Sequence, residues 1–185
     1  MEFQAGDIGS TKGKGLLGQL NQTAFVPQTD RFHFFIIWKR LWDGDYLILE
    51  SVKKGLAIGR LSWYKGKDIE IYRVNCPIGL RRKAPFGLID WGRSRYDYWL
   101  FVKIPVGAIA ALAKILYNEH KVRKLKAEDL PYGTNSALIC TEAVDVAYDS
   151  VGVNLIPEGV PPLPSAFKQA LLDGRMELIY KGELK

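Results

Sequence analysis

The sequence predicts an α+β fold, a small antiparallel, partly barrel-like sheet packed against helices. Three observations predict it. Apolar and aromatic residues gather in short strand-like runs, FHFFIIW around Phe34 and YLILESV around Ile48, separated by an Asp43-Gly44 turn signal. Further along, the apolar spacing turns helical, once after Pro105 and again from Cys140. The chain has 185 residues, 48% hydrophobic and 25% charged, which is enough for one core, so residues 1–185 read as a single domain.

Taken in order, Gly6-Asp7-Ile8 starts a short strand. Gly9, Gly13, Gly15 and Gly18 follow, with Lys12 and Lys14 among them, a spacing that invites a phosphate-loop reading. No Gly-Lys-Ser/Thr closes it and no clear strand feeds it, so it reads as a mobile loop. Arg31 to Val52 reads as a β-hairpin. Alternation puts His33, Phe35 and Ile37 on one face, and Tyr46, Ile48 and Glu50 on one face of the partner strand. RLSWYKG and KDIEIYRV, around Lys65-Gly66-Lys67, read as a second hairpin that extends the sheet.

Between Cys76 and Tyr98, Arg81, Arg82, Arg93 and Arg95 interleave with Trp91, Tyr96 and Trp99, a pattern able to stack on bases and meet phosphates. Asp90 and Asp97 break the charge, and the segment reads as an insertion over one sheet edge, with no nucleic-acid partner. Pro105 opens a helix to about His120, with Val106, Ile109, Leu112, Ala113 and Leu116 as its packing stripe and His120 at its basic end. After the Cys140 helix come a proline-rich loop, a last helix opened by Pro164-Ser165, and a closing strand, MELIYKGEL.

Cys140 carries the chemistry. It stands where the apolar run ALIC becomes the helix TEAVDVAY, and a helix N-terminus offers unpaired N–H groups and partial positive charge that favour a thiolate. Val144, Ala147, Tyr148 and Val151 form the core face of that helix, with Glu142, Asp145 and Asp149 on the wet side. A single cysteine among apolar residues is ordinarily a small core residue. A nucleophilic one needs an imidazole to take its proton and a polar group to orient that imidazole. The chain has two histidines; His33 opens one strand, and Glu50 stands on the next.

Gly-Asp-Ile near the N-terminus, a histidine opening an aromatic strand, a glutamate on the following strand and a late Cys-Thr-Glu before a helix resemble the circularly permuted NlpC-type papain-like cysteine peptidases and amidases. The resemblance spans nearly the whole chain. It implies a papain-like fold in permuted order, with Cys140 as nucleophile, His33 as general base and Glu50 as orienting group. Cys140-Thr141-Glu142 matches the family's Cys-Ser/Thr-Glu signature and Gly6-Asp7-Ile8 its opening. Phe35 replaces a common glycine and Phe32 a usual small residue, departures that bear on substrate range. Tyr132-Gly133 resembles the aromatic-glycine step before the nucleophile, which puts Tyr132 in the cleft lining. Asn135 or Ser136 is a candidate oxyanion donor beside the Cys140 backbone N–H. The glycine-lysine loop, by the same resemblance, lies beside the cleft.

The expected activity is hydrolysis of amide bonds through an acyl-enzyme, on peptides including those of the cell wall. Two alternatives stay open. One is thiol acyl transfer or ester hydrolysis on lipids, with Phe34, Phe35, Trp38 and Trp42 as an acyl pocket or simply as core; the other is a non-catalytic binding module. No cofactor is expected, nor a metal, since the two histidines and two cysteines lack ligand spacing. The formal charge of +6 favours anionic surroundings such as cell-wall polymers or acidic lipid head groups. IPVGAIAALAKIL, the longest greasy segment, is interrupted by Lys114 and too short to cross a bilayer. MEFQAGDIGS lacks the regions of a signal peptide, so a cytoplasmic location is expected for the chain as written.

One geometric demand accompanies the triad. An ideal two-residue turn at Asp43-Gly44 pairs Glu50 with Ile37, roughly 13 Å along the strand from His33. The hairpin therefore needs a wider loop or a bulge.

Overall fold

Six extended segments pair into one antiparallel sheet: β1 (Ile8–Lys12), β2 (Arg31–Arg40), β3 (Tyr46–Val52), β4 (Gly55–Arg60), β5 (Asp68–Val74) and β6 (Met176–Glu183). A computed structural model describes residues 2–13, 25–92, 106–114, 124–130 and 139–185. The strand order is β4-β3-β2-β1-β5-β6, an open sheet with β4 and β6 at its edges. The α+β class is as expected, whereas the barrel-like closure is not found. β6 exposes Glu177, Lys181 and Glu183 along its length, and charges on an edge strand oppose further pairing.

β1 is more than a short opening strand. It lies between β2 and β5, pairing Ile8 with Ile36 and with Tyr72. That placement removes the second expected hairpin, because β4 pairs with β3 while β5 pairs with β1 and β6. RLSWYKG is not a strand. Leu61–Tyr64 forms a 3-10 turn that buries Leu61 and Tyr64, residues three apart as that helix requires, and carries the chain across the sheet from β4 to β5.

The helices among the described residues are α1 (Ile78–Lys83), α2 (residues 106–114), α3 (Cys140–Asp149) and α4 (Pro164–Leu172). α3 and α4 cover one face of the sheet, where Val144, Ala147, Tyr148 and Phe167 join Ile8, Phe34, Ile36 and Leu49 in the larger core cluster. A fully buried Val, Ile or Phe in this cluster contributes on the order of 1.5–3 kcal/mol, and Ala147 less. The opposite face carries a smaller cluster of Phe35, Ile37, Ile48, Leu61, Tyr64, Ile69 and Ile71.

Two side-chain expectations change. In α2 the buried residues are Ala108 and Ala111, which join the larger core cluster, while Val106 and Ile109 are exposed. In α3, Val144, Ala147 and Tyr148 face the core as expected, but Glu142 is buried at 3% exposure, turned back to accept the Ile139 N–H at 2.8 Å. The segment after Cys76 forms α1 and a 3-10 stretch, Ala84–Trp91, that packs against α3 rather than over a sheet edge. Arg81 there is buried and donates to the Val74 carbonyl at 3.1 Å. Arg93, Arg95, Tyr96, Trp99, His120 and the glycine loop from Lys14 onward lie outside the described residues.

Candidate active site

The β2–β3 hairpin meets the geometric demand in two steps. Leu41 and Asp45 close the loop, with the Leu41 N–H donating to the Asp45 carbonyl at 2.7 Å, so the turn is one residue wider than Asp43-Gly44 alone. The register then shifts between Ile37 and Lys39, leaving Trp38 as a bulge, and beyond it Ile37 pairs with Ile48 and Ile36 with Leu49. Continued in that register, Glu50 lies opposite Phe35, and His33 is its diagonal neighbour on the same face. Diagonal pairs are within reach of long side chains. His33 Nε2 and Glu50 Oε2 stand 2.6 Å apart.

A second irregularity brings in the cysteine. The β1–β2 register shifts between Thr11 and Lys12, pairing Thr11 with His33 and Lys12 with Arg31, so Phe32 is the extra residue. The start of α3 sits against this bulge, and the Cys140 thiol donates to the Phe32 carbonyl at 3.7 Å. Cys140 is the first residue of α3, after Ile139 in extended conformation, and is 6% exposed. Its own N–H and that of Thr141 belong to the first turn, which an α-helix cannot satisfy internally.

Electrostatics join the three side chains. Burial alone lowers the His33 pKa, but hydrogen bonding and negative charge from Cys140 on one side and Glu50 on the other push it up to about 10. With Nε2 committed to Glu50, Nδ1 is the nitrogen left for sulfur. Glu50 resists its burial, which raises its pKa, because His33, Tyr64 and the more distant charge of Lys67 hold the carboxyl below its usual range.

Tyr64 is the residue that the sequence did not offer. Its hydroxyl donates to Glu50 Oε2 at 2.5 Å, the same oxygen that His33 uses. Its ring lies nearly parallel to the imidazole, with centroids 6.2 Å apart. The signal available was the three-residue spacing of Leu61 and Tyr64 after Gly59-Arg60. Gly59 matters as well, since a Cβ there would fall 2.8 Å from Glu50 Oε1.

The structure thus brings together Cys140, His33 and Glu50. It does not bring together the four aromatics of the acyl-pocket reading. Phe34 and Phe35 are buried on opposite faces of the sheet, Trp38 packs on Phe86, and Trp42 stands 96% exposed at the hairpin tip. Tyr132, Asn135 and Ser136 lie outside the described residues. Among the described residues no group of three or more His, Cys, Asp and Glu is placed to hold a metal ion, and no helix is long and apolar enough to cross a membrane. No family model, curated protein or solved structure matches the chain.

Proposed function

We propose that the chain is a cysteine-nucleophile hydrolase of amide bonds, built as a papain-like domain in circularly permuted order. The observation that carries this reading is the 2.6 Å contact between His33 and Glu50, with Cys140 at the start of α3 acting on the same imidazole. With its Nε2–H donated to Glu50, His33 turns Nδ1 to the thiol as the proton acceptor, and its raised pKa favours the protonated ring once that proton has moved. Rotation of the thiol from the Phe32 carbonyl toward Nδ1 gives a thiolate and an imidazolium.

The thiolate attacks the amide carbonyl, and the first-turn N–H groups of α3, that of Cys140 first, face the developing oxyanion. His33 returns the proton to the leaving amine, leaving an acyl-enzyme. It then draws a proton from water, and hydrolysis restores the thiol. Peptides of the cell-wall kind are the substrates that the resemblance implies, and the positive chain suits anionic polymers.

The test is the pH dependence of Cys140 alkylation by iodoacetamide in a Cys76→Ser background, which leaves one thiol. Fast reaction well below pH 8 that slows at least tenfold in His33→Ala supports the pair. Reaction at the rate of a free thiol in both proteins removes the catalytic reading and leaves a binding module.

A further inference from the structure

The geometry points to Tyr64 as a positioning residue of the thiol site, one that fixes the Glu50 carboxylate and through it the imidazole of His33. This rests on the cysteine-hydrolase reading and deepens it. Glu50 Oε2 receives two donors, His33 Nε2 at 2.6 Å and the Tyr64 hydroxyl at 2.5 Å. Two converging donors on one oxygen leave the carboxylate little freedom to turn, and both favour its charged form. Oε1 occupies the space that a Cβ at Gly59 would fill, 2.8 Å from where that atom would stand.

Tyr64 is itself held firmly. Its ring stacks on Phe35 with centroids 4.9 Å apart, and Lys67 Nζ lies 4.6 Å over its centre. The 3-10 turn that presents it is fastened to the hairpin by Asp45, whose carboxylate accepts the Ser62 N–H at 3.1 Å and the Ser62 hydroxyl at 2.7 Å. A path of rigid contacts therefore runs from the β2–β3 loop through Tyr64 to Glu50. The charged and titratable groups that bear on the carboxylate come from three directions: His33 from β2, Tyr64 from the 3-10 turn, and Lys67 from the turn before β5. Cys140 bears on both His33 and Tyr64 from α3.

A fixed imidazolium is what keeps sulfur ionised at low pH. If Tyr64 serves only packing, removing its hydroxyl lowers the melting temperature and leaves the pH dependence of the thiol alone. If it positions Glu50, the acid limb of the reaction moves.

The experiment is iodoacetamide alkylation of Cys140 between pH 4 and 9 in the Cys76→Ser protein, with and without Tyr64→Phe, which keeps ring and volume. The expected result is an acid limb moved up by about one pH unit, with the rate at pH 9 within about twofold of the parent. As a second probe, 3-fluorotyrosine installed at position 64 keeps the donor and strengthens it, and moves the limb down by a few tenths of a unit. A limb unmoved by either replacement, in a parent whose Cys140 is activated, overturns the role of Tyr64 alone. A parent whose Cys140 reacts as an ordinary thiol overturns the hydrolase reading and this inference with it.

Discussion

Asp7 and Glu50 are both buried carboxylates held by a basic side chain on another strand, and both belong to the motifs that carried the family resemblance. Asp7 is 0% exposed and takes both of its oxygens to Arg73, Nε at 2.9 Å and Nη2 at 2.7 Å. Its surroundings are closed. Gly6 beside it has φ +90, and a Cβ there would fall 2.2 Å from the Arg81 carbonyl, while the Tyr148 hydroxyl of α3 donates to the Gly6 carbonyl. Glu50 instead holds a histidine whose side chain keeps 24% of its surface exposed and which feels a thiol on its far side. A guanidinium never gives up its proton; an imidazole does. The same kind of buried pair is thus a fastener in one place and a proton-handling site in the other.

The largest expected effect breaks the fastener. Asp7→Ala removes the carboxylate that takes two hydrogen bonds from Arg73 and should cost about 3 kcal/mol, read by urea denaturation. Where the variant is folded, the pH profile of Cys140 alkylation should match the parent's; a profile displaced as far as that of a Glu50 variant would erase the contrast. Glu50→Gln comes next. The amide keeps the shape and one acceptor but not the charge, so alkylation at pH 6 should fall about a hundredfold, equivalent to about 2.7 kcal/mol. Its melting temperature should move by only a few degrees, and a large drop without loss of reactivity would make Glu50 a fastener too.

The contrast also shows which features the sequence carries. Strands β2 and β3, the head of α3 at Cys140, the Pro164 start of α4 and the closing strand β6 follow from local patterning and turn chemistry. The bulges at Trp38 and Phe32 do not, because an extra residue in a strand looks like any other, yet they bring Glu50 and the start of α3 to His33. β1 was hard to weigh, since IGSTK is short and mostly small or polar and only its central place in the sheet reveals its importance. Glu142 reads as a wet residue by helical spacing, and a backbone hydrogen bond turns it inward. Tyr64 hides in a four-residue 3-10 turn whose residues pass for a strand.

Gly59→Ala sharpens the comparison from the backbone. The added Cβ would meet Glu50 Oε1, the far end of a flexible side chain, so the protein relieves the clash by moving the carboxylate. Stability should change by less than about 1 kcal/mol, while alkylation at pH 6 falls about tenfold. A stability loss with unchanged alkylation would place the adjustment in the strand and leave Glu50 where it was.

A third carboxylate completes the series. Asp145 of α3 has its Oδ1 buried with no hydrogen-bond partner among the described residues. Burial above all, then the charges of Asp149 and Glu142, push its pKa from 3.8 up to about 8, against a pull from the Ile156 backbone N–H. Where Asp7 has arginine and Glu50 has histidine, this acid keeps its own proton. The folded protein holds that proton to about pH 8 and the unfolded chain releases it near 3.8, so ionisation favours unfolding and stability falls as pH rises between the two. Asp145→Asn has no proton to lose. It should be near neutral at pH 4.5 and stabilise by on the order of 1 kcal/mol at pH 8, measured by urea denaturation at both values. An equal effect at both would mean that the folded protein carries Asp145 ionised, and that a partly buried carboxylate on this helix needs no cation to stay charged.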